Sequence, residues 1–543
     1  MKETDNKEAT SEKPLSKKEN AKPKKQRKTG KINSKDATRT QIRGSSLLLF
    51  GRFISVGLNF ASQVLIVRYL SQADYGAWAY ALSIIAFFQG FSTLGLKRAI
   101  TRFIPIYHEQ EQYGKLFGTI FLTLITIVLT GLVFIGAIYI SPDSIAKLIS
   151  GDAQPVAILL ILIFMVPVEA IDLAIIGLFA SFASPKVIFT RKHLFGPGIK
   201  LLVSILLIVF QSNVLFLAYG YLSVNALAVL VYSFILIRLM KKQGILKKFR
   251  LKEVIIPFVE VFSFTIPLLT SDLVSVLMHS SGTMILGYFH NTTEVAFYRV
   301  ILPASHFNKL VMTSFALLYT PLAARLFAKE DFAGINHLYW KTAVWLGVLS
   351  FPLFALTFSM AKPLTVLLYE ARYEQAWVYL QLISLGYYFN VVMGFNGLTL
   401  KVLGKVRYVV IINLIAVVIN LILNLALIPP FGALGAAIAT CVGMIIHNIL
   451  KQAGLRLASG ISVFDRNYSS FYVVIATSAL GLFLFQYFVT QNIFILFPLA
   501  AVVSFMVLKL CQHQLNVEET FPELLKLPIL KYVFSLKLKR PKS

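Results

Sequence analysis

The sequence predicts an all-α polytopic membrane protein of about 14 transmembrane helices, built as two pseudo-symmetric six-helix lobes followed by two C-terminal helices. Three observations carry that expectation. Hydrophobic residues make up 57% of the 543 residues and charged residues only 14%, which suits a chain living in lipid rather than around a soluble core. Lysine and arginine segregate to alternate connections between the apolar runs. The chain also resembles itself when shifted by 219 residues.

Residues 1–43 hold 14 Lys/Arg against 6 Asp/Glu, a net charge of +8, with no apolar h-region. They read as a disordered basic cytoplasmic tail that can touch anionic headgroups, and not as a signal peptide. Windows of about 20 residues, enough to cross a hydrocarbon core of about 30 Å, then place six spans near 46–70, 76–102, 116–140, 155–181, 192–210 and 214–238. Six more lie near 255–288, 295–324, 338–360, 377–400, 408–428 and 432–453, and two follow near 468–489 and 493–511. The second, seventh and eighth are longer than a crossing needs, so they should tilt or kink. The expected organisation is a tail to residue 43, an N-lobe over 44–240, a C-lobe over 241–460, helices 13 and 14 over 461–512, and a cytoplasmic tail over 513–543.

Net charge is +27, which in a soluble protein would suggest nucleic acid. Here the positions of the charges explain it better. Connections 103–115, 182–191, 239–254, 325–337, 401–407 and 454–467 carry sixteen Lys/Arg, whereas the opposite connections carry Lys147, Lys362 and Arg372. That bias puts both termini in the cytoplasm and requires no nucleic acid partner. Cys441 and Cys511 fall in apolar spans and are too few for a disulfide framework.

The shift of 219 lays VRYLSQADYGAW, starting at Val67, on LGYFHNTTEVAF, starting at Leu286, each a turn between the first and second helix of a half. Repeated halves of this kind place a transporter's site between them.

The most informative stretch is Lys401 to Thr440. A basic turn with Lys405 and Arg407 enters a helix bearing Asn413, Asn420 and Asn424 on one face. Pro429 and Pro430 end that helix, and Gly432, Gly435, Ala436, Ala437 and Ala439 let the next approach another backbone closely. This pattern, with Ile-Pro-x-x-Gly followed by Gly-Ala-Ala-Ile-Ala-Thr, resembles the Wzx-like polysaccharide-export flippases of the multidrug/oligosaccharidyl-lipid/polysaccharide (MOP) superfamily. In the first half, LSQADYGAWAYALSI from Leu70 and LGLKRAITRFIP ending at Pro105 carry the same resemblance. It covers roughly residues 45–510.

The resemblance implies two lobes facing each other across a central cavity in the cytoplasmic (inner) membrane. It implies a flippase moving a polyprenyl-diphosphate-linked oligosaccharide by alternating access, in contact with membrane lipids and with other polysaccharide assembly proteins as candidate partners. Three alternatives stay open: a cation-coupled drug exporter of the same superfamily, a lipid II or sporulation-type flippase, and a non-transporting scaffold. No Walker A, His-Glu-x-x-His or nucleophile-elbow motif is present, and the short loops leave no room for a soluble catalytic lobe, so neither an enzyme nor a cofactor or metal is expected.

Ionisable side chains inside spans are costly and so are candidates for function. Arg52 and Asp272 fall at similar depth in the first and seventh helices and can face each other across the cleft, with snorkelling the alternative for Arg52. His279, His306 and Lys309 map to mid-membrane depth, with hydrogen-bonded packing the alternative for the histidines. With Arg299 and Arg68 nearer the outer side, they would line a path of cations suited to a diphosphate. Glu169 and Asp172 share a face of the fourth helix near Lys200, and are read either as a proton-coupling site or as an ion pair with Lys200. Lys97, Arg98 and Arg102 are either interfacial anchors or collectors of an anionic substrate.

Overall fold

The computed structural model describes residues 34–140, 153–182, 184–462, 465 and 468–515. Most of the expected N-terminal tail and of the 513–543 tail lies outside the described residues, and the first helix already begins at Ser34. The chain divides into two units, Met1–Ser46 and Leu47–Ser543, and the second holds the helical bundle.

Among the described residues the chain is helical, without strands. The first half runs α1 (Ser34–Tyr69), α2 (Gln72–Ser92), α3 (Leu96–Glu109), α4 (Tyr113–Ile140), α5 (Ala153–Leu162), α6 (Met165–Ser181), α7 (Gly196–Val209) and α8 (Val214–Lys242). The second runs α9 (Phe258–Phe289), α10 (Thr292–Val300), α11 (Leu310–Ala328), α12 (Phe332–Phe354), α13 (Trp377–Val392) and α14 (Val406–Ser459), before α15 (Ser470–Phe488) and α16 (Ile493–Leu510).

Among the described residues ten helices are long and apolar enough to cross a membrane, or twelve if each of two bent pairs is one span. The expected count of 14 is not reached by that measure. One reason is that the spans expected at 408–428 and 432–453 fall in the single run α14. That run turns at Gly432 (φ 54°, ψ −132°), two residues after Pro430, in a backbone conformation that glycine adopts readily. The turn is held from outside: the Ala433 N–H donates to Glu294 Oε2 at 2.9 Å, and His290 Nε2 hydrogen-bonds the Ile428 carbonyl at 2.9 Å. The two bent pairs have local causes as well. Gly95 (φ 71°) separates α2 from α3 at a 40° bend. A 44° bend follows Ala316, just before the carbonyl that Pro321 leaves without its helical donor.

The two turns that the repeat aligns are capped alike, with the register moved by one. Ser71 caps α2 by accepting from the Asp74 N–H, and Asn291 caps α10 by accepting from the Glu294 N–H, so equivalent positions are 220 apart (71 to 291, 74 to 294) and not 219. A turn defined by its cap fixes the register better than similarity of apolar letters does.

A core shared by both halves gathers Trp78, Ile85, Leu286, Val295, Tyr373 and Ile428, while α15 and α16 pack on α12 through Phe471, Ile475 and Val507. Contact between the halves along α2 is backbone-close, since a Cβ on Gly76 would stand 1.7 Å from the Thr292 carbonyl oxygen. Asn420 and Asn424 are buried in packing contacts: Asn424 Nδ2 donates to Asn420 Oδ1 at 3.0 Å, which also accepts from Ser281 at 3.3 Å, while Asn424 Oδ1 is left without a partner among the described residues.

Candidate functional site

Four residues of α1, Arg52, Val56, Asn59 and Gln63, recur at helical spacing and so share a stripe facing the second half. Opposite stands the irregular link between α10 and α11, where the helix tightens into a 3₁₀ turn over Phe307–Lys309. Between them lies a cavity of about 400 Å³ lined also by His279, His306, Lys309 and Thr313. Phe60 and Phe307 meet edge to face across it at 4.8 Å.

Sequence spacing places Arg52, His279, His306 and Lys309 within the spans, and the structure brings all four to this cavity. No carboxylate stands among the described lining residues, and among the described residues neither Arg52 nor Lys309 has an acidic partner within ion-pair distance. Tyr387 organises the far wall. Its hydroxyl is 2.6 Å from His306 Nε2, and Lys309 Nζ stands 4.0 Å above its ring. Gln63 ties the lobes beside the cavity by donating to the Val300 carbonyl at 3.1 Å.

The other candidates sit elsewhere. Asp272 does not meet Arg52. It pairs with Arg98 of α3 at 2.5 Å, joining the halves at an ion pair whose partners are 41% and 37% exposed. Arg102 of the same helix lies 4.2 Å from the Phe264 ring of α9. Arg299 is outside the lining, among Tyr75, Tyr298 and Tyr387.

Arg68 is also not a lining residue. It reaches over the lobe boundary and donates to the carbonyls of Leu367 and Leu368, the latter at 3.0 Å. Arg372 reaches the opposite way, from a 3₁₀ turn over Ala371–Ala376 to the last carbonyls of α1: Val67 at 2.7 Å, Arg68 at 2.6 Å and Leu70 at 2.9 Å. Arg372 thus caps the end of α1, and Arg68 caps the end of the helix Ala361–Tyr369 that precedes the turn of Arg372. This reciprocal clasp lies about 24 Å along α1 from Arg52, at 1.5 Å per residue.

Within the N-lobe, Asp172 pairs with Arg191 at 2.9 Å and not with Lys200, both partners being largely buried. Arg191 carries no signal in the sequence because its position reads as a connection, yet it lies in a π-helical turn, Phe189–Phe195, that carries it inward. Lys200 Nζ stands 5.3 Å from the Tyr221 ring, and Glu169 accepts from Gln89. Arg372 and Tyr387 are equally silent in the sequence, the first for lying in a loop and the second for being one aromatic among many.

Comparison with known proteins agrees with this architecture. A family model described as polysaccharide biosynthesis protein matches residues 42–327, and a MatE model matches 267–426. An uncharacterized membrane protein of Methanocaldococcus jannaschii is 23% identical over 429 residues, covering 76% of this chain and 83% of that protein. The lipid II flippase MurJ in an inward closed conformation superposes with a TM-score of 0.65 at 18% identity, covering 84% of this chain and 96% of that one. An inward-facing multidrug resistance MATE family transporter gives a TM-score of 0.61 at 12% identity, covering 75% and 95%.

Proposed function

Because the chain belongs to the polysaccharide biosynthesis protein family, within the fold of the MOP superfamily, we propose that it is a flippase carrying a polyprenyl-diphosphate-linked oligosaccharide across the cytoplasmic membrane by alternating access. The supporting observation is the cavity between the lobes, lined by Arg52 and Lys309 with no acidic residue among its described walls. A diphosphate entering hydrocarbon must exchange water for fixed donors. An arginine fork and a lysine held over an aromatic ring supply them, and Asn59 and Gln63 offer amides to sugar hydroxyls. No covalent bond changes.

In this reading Arg52, His279, His306 and Lys309 contact the substrate, the Arg68 and Arg372 clasp closes the outer side, and Arg98 with Asp272 closes the inner half. In the same reading the interlobe linker and both termini face the cytoplasm, the side that the distribution of Lys and Arg favours. Ion coupling falls to Glu169, whose carboxylate is met by an amide and, among the described residues, by no cation within ion-pair distance, while Asp172 is occupied by Arg191.

The test is leaflet translocation of a fluorescent polyprenyl-diphosphate oligosaccharide in proteoliposomes. Wild-type protein should move it. Arg52→Ala and Lys309→Ala should each lower the rate at least tenfold while elution profile and melting temperature hold, and Glu169→Gln should abolish the response to an imposed pH gradient. Export of an organic cation without movement of any polyprenyl-linked sugar would overturn the reading in favour of a drug exporter, to which a carboxylate-free cavity is poorly suited.

A further inference from the structure

The segment joining the two lobes, residues 243–257, is strapped to the start of α4. The Ile255 N–H donates to the Gly114 carbonyl at 3.2 Å. A Cβ on Gly114 would stand 2.2 Å from the Glu253 carbonyl oxygen, and one on Gly118 would stand 1.9 Å from that of Ile255, so linker and helix touch backbone to backbone. Beside this contact lies a second cavity of about 540 Å³, which shares no lining residue with the one at Arg52 and whose walls carry four cations, Lys115, Lys247, Lys248 and Arg250, against two carboxylates, Glu111 and Glu253.

Its charge is unbalanced. Arg250 is engaged by Glu253 at 2.9 Å, and Lys115 by Glu260 at 3.4 Å. Lys247 and Lys248 have no carboxylate within ion-pair distance among the described residues, and Lys248 Nζ stands 5.8 Å from the Tyr113 ring. Unlike a soluble phosphate site, this one is bordered by bare hydrocarbon: Leu251 is 73% exposed, Ile255 57%, Phe258 59% and Val259 79%. A basic recess with an apolar rim has the polarity profile of the boundary between headgroups and acyl chains.

We propose that this recess is a binding site for an anionic phospholipid of the adjoining leaflet. The phosphate is held by Lys247 and Lys248 against Tyr113, and the acyl chains lie over Leu251, Ile255 and Phe258. Since the linker packs on the start of α4, the lipid sits where the connection between the lobes meets the first half.

The proposal is tested on the purified full-length protein, by native mass spectrometry and by melting temperature, with phosphatidylglycerol, phosphatidylcholine or inorganic phosphate added to detergent. Neither readout needs transport, so both remain valid if the flippase reading fails. Phosphatidylglycerol should be retained and should raise the melting temperature, and a Lys247→Ala, Lys248→Ala double variant should lose at least fivefold of the retention. A Lys241→Ala, Lys242→Ala variant, which removes equal charge outside the recess, should keep it. All four lysines are exposed, so both variants should fold. Equal retention by the two double variants would overturn the proposal, as would equal stabilisation by inorganic phosphate or equal binding of phosphatidylcholine.

Discussion

At the residue scale, what matters about each charge is whether it has a partner. Arg191 and Asp172 are buried together, and removing one partner leaves the other charged in a dry site, which costs about 3–5 kcal/mol. Arg191→Gln should therefore lower the melting temperature in detergent markedly, and adding Asp172→Asn should recover part of the loss; additive losses would refute the pairing. Arg98 and Asp272 are over a third exposed, so their pair contributes little to stability, about 1 kcal/mol or less. Its influence should be on the balance between lobe arrangements: Arg98→Asp should change the transport rate and an added Asp272→Arg should restore it. The cavity charges were legible because a mid-span lysine or arginine is rare and helix spacing gives its depth. The pairs were not, because they join residues 174 apart (98 to 272) or belong to a turn that reads as a loop.

At the element scale, proline and glycine explain most departures from regular helix. Gly432 takes a backbone conformation that disfavours other residues, and a Cβ there would also stand 2.8 Å from Glu294 Oε2. Gly432→Ala should cost about 1–3 kcal/mol by that strain, read as a lower melting temperature, whereas Gly57→Ala, with open space around it, should be nearly silent. The sequence made this turn visible through Pro429 and Pro430. It did not disclose that His290 and Glu294, from the α9 to α10 turn, hold it, since that contact exists only once the helices of the second half have packed. The same limit applies to the repeat: apolar similarity shows that two halves exist, but only the caps at Ser71 and Asn291 fix the register.

At the scale of the whole molecule, two halves meet around a cavity and are tied on either side of it. Replacing Arg372 by Lys keeps the charge but cannot reach three carbonyls at once, so it should loosen the clasp. Spin labels at Ser71→Cys and Gln375→Cys should then report a longer or broader distance distribution than in the parent protein, and the native Cys441 and Cys511 are buried and should label poorly. Unchanged distances would mean that the clasp does not keep the lobes together. The clasp has one more consequence. Its five hydrogen bonds run from guanidinium groups to peptide oxygens, neither of which gains or loses a proton in any living compartment, and beside them Arg372 Nε stands 3.2 Å from the carboxylate of Glu370. A change of pH reaches only the flanking carboxylate of Glu370 and leaves the five hydrogen bonds in place, so the lock is opened by strain carried along α1 from whatever occupies the space beside Arg52.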